Sequence, residues 1–305
     1  MTVEVGAPPI DERERLAHRL LDASATHQLD PATAIDWSSP LRPDLWFMPP
    51  EHVTLFGTSL WQHLPEPTRR ELSRHEAAST ASVGIWCETI LLQLVARHIY
   101  GADPTSAHVA YALTEVADEC RHSIMFARMI RTLGVPAYGP GRLAHTLGLV
   151  MKSTARPAGM FGAILVAEEL LDAMQRQTIH DERVQPVIRE ICRLHVVEEA
   201  RHVRFARDEL TRIMARSGRS ARVDARLTVA QSAALLSRRL VHPDVYRAVG
   251  LDTRAATSAA RSSEHRRDFL AAVCSRLVAF FDDVGLIDRS SRRIWQRAGL
   301  ITRTA

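Results

Sequence analysis

One carboxylate–histidine pattern occurs twice in this chain, and its residue types are those that bind transition metals. Glu88 is followed 31 positions later by Glu119, which begins the sequence Glu-x-x-His. Glu168 is followed 31 positions later by Glu199, which begins the only other Glu-x-x-His of the chain. On a helix, this spacing places a carboxylate and an imidazole on the same face, about one turn apart.

The repeat predicts four helices that meet at a dinuclear metal site. Two facing helices with Glu-x-x-His, and one Glu from each of two further helices, form the metal site of a ferritin-like four-helix bundle. The predicted ligands are one single carboxylate from each of two helices (Glu88, Glu168), two bridging carboxylates (Glu119, Glu199) and one imidazole for each metal (His122, His202). A pair of irons in such a site indicates oxygen chemistry. The alternative interpretation is a set of salt-bridging carboxylates on helix surfaces, which gives no reason for the repeat.

Two ligand choices need a further argument. Glu169 adjoins Glu168, and the 31-residue spacing favours Glu168. His195 lies four residues before Glu199 and seven before His202, so all three share one helix face. We therefore predict His195 as a seventh ligand, with a structural histidine as the alternative. A third imidazole would add donor strength without further negative charge.

Acidic and basic neighbours accompany both copies of the pattern. Asp118 and Glu198 precede the bridging carboxylates, and we expect them to accept the second N–H of the ligand imidazoles. Arg121 and Arg201 would pair with these acids. Ordinary surface ion pairs are the alternative.

Three more residues lie on the ligand faces. Glu115, four residues before Glu119, is predicted to face either the ligands or the substrate, and Asp172 and Gln175 are predicted to support the ligands. No Arg or Lys occurs in the two turns before Glu88, so that helix offers no anchor for an acidic substrate.

The helical pattern predicts an all-α fold with peripheral helices around the bundle. Predicted helices cover 11–25, 51–63, 67–100, 104–133, a crossover helix that ends at 152, 157–180 and 186–216. Three or four shorter helices should follow. We expect one domain over 1–305, with a metal-binding core at 66–217, an N-terminal extension at 1–65 and C-terminal helices at 218–305.

Composition excludes several classes of protein. The chain is 46% hydrophobic and 24% charged, and no apolar run approaches the roughly 20 residues of a membrane span. Its N-terminal segment lacks the apolar region of a signal peptide, so a cytoplasmic protein without membrane contact is expected. Arginines account for nearly all of the positive charge and are scattered, which argues against nucleic-acid binding. Codon bias is one explanation for the many arginines. The other is a basic docking face for an acidic carrier protein or an electron donor.

The pattern His195-x-x-x-Glu199-x-x-His202, added to the two paired carboxylate motifs, resembles the arylamine N-oxygenase family. Its best-known members oxidise p-aminobenzoate and related arylamines. The resemblance covers roughly Pro67 to Arg216. It implies that the seven predicted ligands bind two Fe ions, which activate O2 through a peroxo-diferric species and transfer oxygen to an amine nitrogen. It also implies a homodimer.

These observations predict a non-haem di-iron monooxygenase that N-oxygenates a small-molecule amine in natural-product biosynthesis. No flavin or nicotinamide motif is visible, so electrons would come from a ferredoxin, a reductase or the substrate. Mn in one site is compatible with the same ligands. The alternatives are C–H hydroxylation or desaturation of a natural-product or carrier-bound substrate, and iron storage by a ferroxidase.

Overall fold

The computed structural model describes residues 11–302, and their regular elements are helices. In chain order these are α1 (Glu12–Thr26), α2 (Pro31–Ala34), α3 (Ser59–His63), α4 (Glu66–Ile99), α5 (Ala107–Leu133), α6 (Arg142–Thr154), α7 (Pro157–Ile179), α8 (Pro186–Arg216), α9 (Arg219–Arg239), α10 (Asp244–Ala248), α11 (Thr253–Ser262), α12 (Glu264–Val273), α13 (Ser275–Asp283) and α14 (Arg289–Ala298), with a 3-10 turn at Pro50–His52. The predicted all-α class is confirmed.

Four long helices, α4, α5, α7 and α8, form the bundle. The most extensive contacts join α7 to α8 and α4 to α5, and contacts of α4 with α7 and of α5 with α8 close it. Helix ends follow local chemistry: the Ser106 hydroxyl accepts the Val109 N–H at the start of α5, and Gly134 ends that helix with φ 63°. Pro157 and Pro186 begin α7 and α8, where a missing N–H costs no helical hydrogen bond.

Residues 218–302 contain six helices, so the prediction of three or four was wrong. The first of them, α9, packs along α7, and α14 packs on α9. The shorter ones are separated by tight turns at Gly250 and Gly285, which have positive φ, and begin at the capping side chains of Asp252, Ser263 and Asp288. Helices of about ten residues give too little periodicity for their number to be read from sequence.

Part of the N-terminal extension packs across the bundle. The Trp46 N–H donates to the Arg183 carbonyl at 2.8 Å, and the Gln185 N–H donates to the Trp46 carbonyl at 2.9 Å. Buried side chains from α1, the bundle and the C-terminal helices share one hydrophobic core. We therefore propose that the chain forms one domain; residues 1–10 and 303–305 lie outside the described part.

Within residues 11–302, only α4 is long and apolar enough to cross a membrane. Its apolar window is 61% buried inside the protein, which is typical of a central bundle helix.

An ion-pair cluster fastens α1 to the bundle. Arg13 Nε and Nη2 donate to the Glu209 carboxylate at 2.7 and 2.6 Å, and Nη2 lies 2.9 Å from Nε2 of His108. His98 Nε2 lies 3.6 Å from the same carboxylate. Burial opposes ionisation of Glu209, but His98 and Arg13 together hold its pKa at about 2.

We predict that Glu209→Gln lowers the free energy of unfolding by roughly 1–3 kcal/mol at neutral pH. Because the folded pKa of Glu209 is depressed, its contribution is present above the ordinary value of 4.5 and is lost as pH falls toward about 2. Urea unfolding at a series of pH values should therefore show the two proteins converging in acid. A gap that stays constant down to the lowest pH would contradict this role, and Glu182→Gln, at an exposed position, is the control.

We also predict that Gly162→Ala destabilises the protein by about 1–3 kcal/mol through overpacking. A methyl group at Gly162 on α7 would overlap Cγ2 of Val229 on α9, a stiff β-branched side chain. Gly101→Ala is the matched control, because no atom lies within 4 Å of its added methyl group. Equal midpoints of thermal unfolding for the two variants would show that α7 and α9 are not in close contact.

Candidate metal centre

Four predicted ligands from α5 and α8 come together at the centre of the bundle. Ligand atoms of Glu119, His122, Glu199 and His202 all lie within 4.8 Å of one another, and all four side chains are buried. Because each Glu-x-x-His occupies one face of an unbroken helix, two facing helices suffice to bring these four side chains together.

The Nδ1 atoms of both imidazoles point at the two predicted bridging carboxylates. His122 Nδ1 lies 2.9 Å from Oε2 of Glu119 and 3.2 Å from Oε1 of Glu199. His202 Nδ1 lies 2.8 Å from Oε1 of Glu119 and 3.4 Å from Oε1 of Glu199. Each imidazole thus faces both carboxylates, as a pair of bridged metals requires.

His195 joins the same centre from the preceding turns of α8. Its ligand atoms and those of Glu88 and His122 lie within 4.8 Å of one another. His195 Nε2 is 3.4 Å from Oε1 of Glu199 and 3.8 Å from Oε1 of Glu88, and Nδ1 is 2.8 Å from Oε1 of Gln175. Gln175 therefore orients the ring and leaves Nε2 directed at the carboxylates.

Glu168 faces the centre, while its neighbour is engaged elsewhere. Both carboxylate oxygens of Glu168 are buried and have no hydrogen-bond partner among the described residues. The Glu169 carboxylate instead binds Arg207, with a contact of 2.5 Å. This arrangement supports the choice of Glu168, although it lies outside the two tight groups of ligand atoms described above.

Unsatisfied buried atoms show that the side chains fit a metal pair. Buried polar atoms ordinarily have partners, and exceptions in one place call for an ion or water. Among the buried side-chain atoms without a hydrogen-bond partner in the described part of the chain, seven belong to the predicted ligands: Oε1 of Glu119, both oxygens of Glu168 and Glu199, Nε2 of His195 and Nδ1 of His202. Carboxylate oxygens with imidazole nitrogens are a donor set suited to iron and manganese.

The pKa shifts report crowded negative charge. Burial, followed by the charge of neighbouring glutamates, raises the pKa of Glu88 and Glu168 well above the usual value. Burial also acts to raise the pKa of Glu119, but His202 and His122 hold it well below its usual value. Burial lowers the pKa of His195 to about 4, which keeps this imidazole neutral and able to bind a metal. Divalent cations would offset the same negative charge.

The acids that precede the bridging glutamates contact the opposite imidazoles. Nε2 of His122 lies 2.8 Å from Oε2 of Glu198, and Nε2 of His202 lies 3.2 Å from Oδ2 of Asp118. An N–H at each Nε2 would donate to the acid and leave the lone pair of Nδ1 to a metal. The contacts are crossed, because each acid supports the imidazole of the other helix.

Arg121 and Arg201 pair with these acids. Arg121 Nη2 contacts Asp118 and lies 3.4 Å from Oε1 of Glu198. Arg201 Nη2 lies 3.7 Å from Oδ2 of Asp118 and 3.9 Å from Oε1 of Glu198. Two guanidinium groups thus balance two buried carboxylates beside the metal ligands.

The other two supporting candidates are placed differently. Glu115 is buried without hydrogen-bond partners, and burial raises its pKa to about 8, although the charge of His202 acts to lower it. Burial therefore favours the protonated form of this carboxyl group beside the ligands. Asp172 pairs through Oδ2 with Arg176 at 2.7 Å, and its predicted support of the ligands has no direct contact among the described side chains.

A cavity of about 270 Å³ adjoins the centre. Glu88, Glu168 and His195 lie in its wall, and most of the remaining wall is apolar side chains from α4, α6 and α7. Neither α6 nor α9 carries a ligand motif, so nothing in the sequence indicated that these helices line the site.

We predict that Glu198→Gln weakens binding of Fe(II) by about 10–100-fold, the usual effect of removing a carboxylate that supports a ligand imidazole. Anaerobic Fe(II) titration would measure the affinity, and Glu182→Gln at an exposed position is the matched control. Unchanged Fe(II) affinity in Glu198→Gln would show that this carboxylate does not support a metal ligand.

The sequence profile of the p-aminobenzoate N-oxygenase AurF family matches residues 10–285. The chain belongs to this family. The buried carboxylates and imidazoles supply a place for a metal pair. The arylamine N-oxygenase resemblance seen in the sequence is confirmed.

Two relatives are uncharacterised proteins of Mycobacterium bovis and Mycobacterium tuberculosis. Each is 28% identical to this chain over 212 residues, which cover 67% of the chain and 62% of the relative. The chain thus spans less than two thirds of the length of these curated relatives.

Solved structures of an R2-like ligand-binding oxidase with a Mn/Fe cofactor are similar at low level. One variant is 14% identical to this chain with a TM-score of 0.43, and the match covers 99% of this chain and 97% of the variant. A second variant has a TM-score of 0.44, and the match covers 94% of this chain and 96% of the variant. With TM-scores below 0.5, this likeness does not bear on the chemistry of the chain.

Proposed function

We propose that this protein is a non-haem di-iron monooxygenase that N-oxygenates a small-molecule amine, of arylamine type, in natural-product biosynthesis. The observation that carries the proposal is the third imidazole. His195 Nε2 has no hydrogen-bond partner, faces Glu88 and Glu199, and lines the cavity. Membership in the AurF family supports the same chemistry.

The seven side chains would hold the metals as follows. Glu119 and Glu199 would bridge them, Glu88 and Glu168 would each bind one metal, and the imidazoles of His122, His195 and His202 would complete the set. Two iron ions bound there supply the electrons that O2 requires to react with a closed-shell substrate; Mn in one position is compatible with the same donors.

The chain's own residues set the conditions for the reaction. Apolar side chains such as Ile90, Leu91 and Ile164 line the cavity beside the ligands and exclude water from the reacting atoms. Gln175 holds the His195 ring, and Glu198 holds the His122 ring, so that the coordinating nitrogens keep their direction. Burial of Glu115 beside the ligands favours the protonated form of its carboxyl group.

We propose that an external electron donor, a ferredoxin or a reductase, supplies the electrons for the reaction. We also propose that the protein is a homodimer in the cytoplasm. We also propose an acidic carrier protein as a partner, because positions 221–305 hold 15 Arg against 8 Asp and Glu.

A second candidate is C–H hydroxylation or desaturation, and the apolar wall of the cavity favours it. A saturated chain would occupy such a wall as well as an aryl ring would. Products separate the two reactions, because N-oxygenation gives a hydroxylamine or nitro compound and leaves the carbon skeleton unchanged.

We predict that the protein binds two irons per chain after anaerobic loading, and that His195→Ala lowers Fe(II) affinity at one of them by at least about tenfold. Iron analysis and optical spectra after mixing with O2 would measure the occupancy and the oxidation of both proteins. His18→Ala, at an exposed position on α1, is the control and should behave as wild type.

Oxygenation itself is tested with a panel of aryl and alkyl amines, with products identified by mass spectrometry in 18O2. Incorporation of 18O at nitrogen supports the proposal. Oxidation of Fe(II) to a ferric product, with every amine and hydrocarbon unchanged, would favour a ferroxidase and overturn it.

A further inference from the structure

A second, smaller cavity lies inside the bundle. Its volume is about 70 Å³, against about 270 Å³ for the larger cavity that adjoins the metal centre. Each of the four bundle helices and the N-terminal extension contribute to its wall, for example through Ala81, Phe126, Leu171, Ile191 and Phe47. On every bundle helix, the lining residues lie about one to three turns from a predicted metal ligand.

The wall of the second cavity is apolar and does not favour water. Among residues 11–302, no Asp, Glu, Lys or Arg lines it. The polar side chains of His52, Gln175 and Thr178 are hydrogen-bonded to other groups, which leaves the Thr80 hydroxyl without a partner in the same range. A buried water needs several polar partners, and apolar cavities that lack them stay dry.

The size of the second cavity limits its ligand to a molecule of a few atoms. An engineered apolar cavity of roughly 150 Å³ takes up benzene or xenon. At about 70 Å³, the second cavity is roughly half as large, too small for an aromatic ring but sufficient for a small apolar gas. An aryl amine therefore belongs in the larger cavity, which contains Glu88, Glu168 and His195 in its wall.

Three side chains separate the second cavity from the metal centre. Leu171 belongs to the walls of both cavities, so its side chain is the partition between them. Phe126 lines the second cavity, and its ring centroid lies 4.9 Å from that of His195. Gln175 lines it too, and its Oε1 lies 2.8 Å from Nδ1 of His195. A molecule in the second cavity is thus one side chain away from a predicted ligand and from the larger cavity.

We propose that the second cavity binds O2 and supplies it to the metal centre past Leu171, while the amine occupies the larger cavity. O2 is small and apolar, and it has to reach the metals when the substrate fills the space beside them. Side chains in packed interiors change rotamers, and the space on both sides of Leu171 leaves it room to move. The inference rests on the proposed function for O2 as the natural ligand.

Xenon, an apolar probe of similar size, tests the gas site in anaerobic crystals of the iron-loaded protein. Wild type should show a xenon peak in the second cavity. Ala81→Leu, which fills that cavity from α4, should lose the peak, and Ala77→Val, one turn earlier in the same wall, is the second variant should Ala81→Leu not fold. Ala117→Leu, at an exposed position on α5, is the control and should keep the peak. Ordered water in the second cavity, or xenon in the larger cavity alone, would overturn the proposal.

The rate of Fe(II) oxidation tests delivery of O2. Ala163 lines the larger cavity and not the second, so Ala163→Phe places a ring where the aryl amine would lie. In this background, Ala81→Leu should slow oxidation of bound Fe(II) by limiting O2 at least about tenfold, as measured by stopped-flow absorbance. Saturating p-toluidine in place of Ala163→Phe gives the same comparison without a change in the larger cavity.

Two further variants identify the route. Leu171→Ala, which removes the partition, should oxidise Fe(II) faster than the same background with Leu171. Ala117→Leu should leave the rate unchanged. Equal rates for Ala81→Leu and Ala117→Leu would show that O2 does not pass through the second cavity and would overturn the proposal.

Failure of this inference and failure of the proposed function give different results. Xenon binding and Fe(II) oxidation that both depend on Ala81, without oxidation of any amine, would contradict the proposed amine oxygenation and leave the gas site intact. Amine oxidation at equal rates in wild type and Ala81→Leu would do the reverse.

Discussion

Negative charge buried at the centre of the bundle is the constraint on which the rest of the structure depends. Glu88, Glu119, Glu168 and Glu199 are 5% exposed or less. Ionised carboxylates are costly to bury unless they are paired or bound to metals. Three imidazoles and two guanidinium groups surround this charge, and two divalent cations would complete its neutralisation. Because the four glutamates must meet at one height in the bundle, the helices that carry them continue without a break through that height.

Support for the ligands crosses between the two helices that carry the repeated motif. Asp118 of α5 contacts His202 of α8, and Glu198 of α8 contacts His122 of α5. Each helix therefore orients the imidazole of the other, and a shift of α5 along α8 would break both contacts together. Arg121 and Arg201 balance the acids and link them into one network.

The bundle and its central cluster could be predicted from sequence because both depend on local periodicity. Glu119, His122, Glu199 and His202 share faces by spacing alone. The choice between Glu168 and Glu169 needed the 31-residue repeat, and the salt bridge of Glu169 with Arg207 agrees with it. Asp172 shares the face as well, but Arg176 lies one turn away and pairs with it.

What could not be predicted depends on contacts between distant helices. The cavity wall includes α9, a helix without a ligand motif, and only the packing of α9 along α7 brings it there. The number of C-terminal helices was underestimated because helices of about ten residues are too short to establish a period.

The position of the metals tests the central claim most directly. Anomalous diffraction at the iron edge from crystals loaded anaerobically with Fe(II) should show two peaks between Glu119 and Glu199, one of them bound by His195. A single peak, two peaks that leave His195 unbound, or iron at the His98–His108–Glu209 cluster instead would contradict the account.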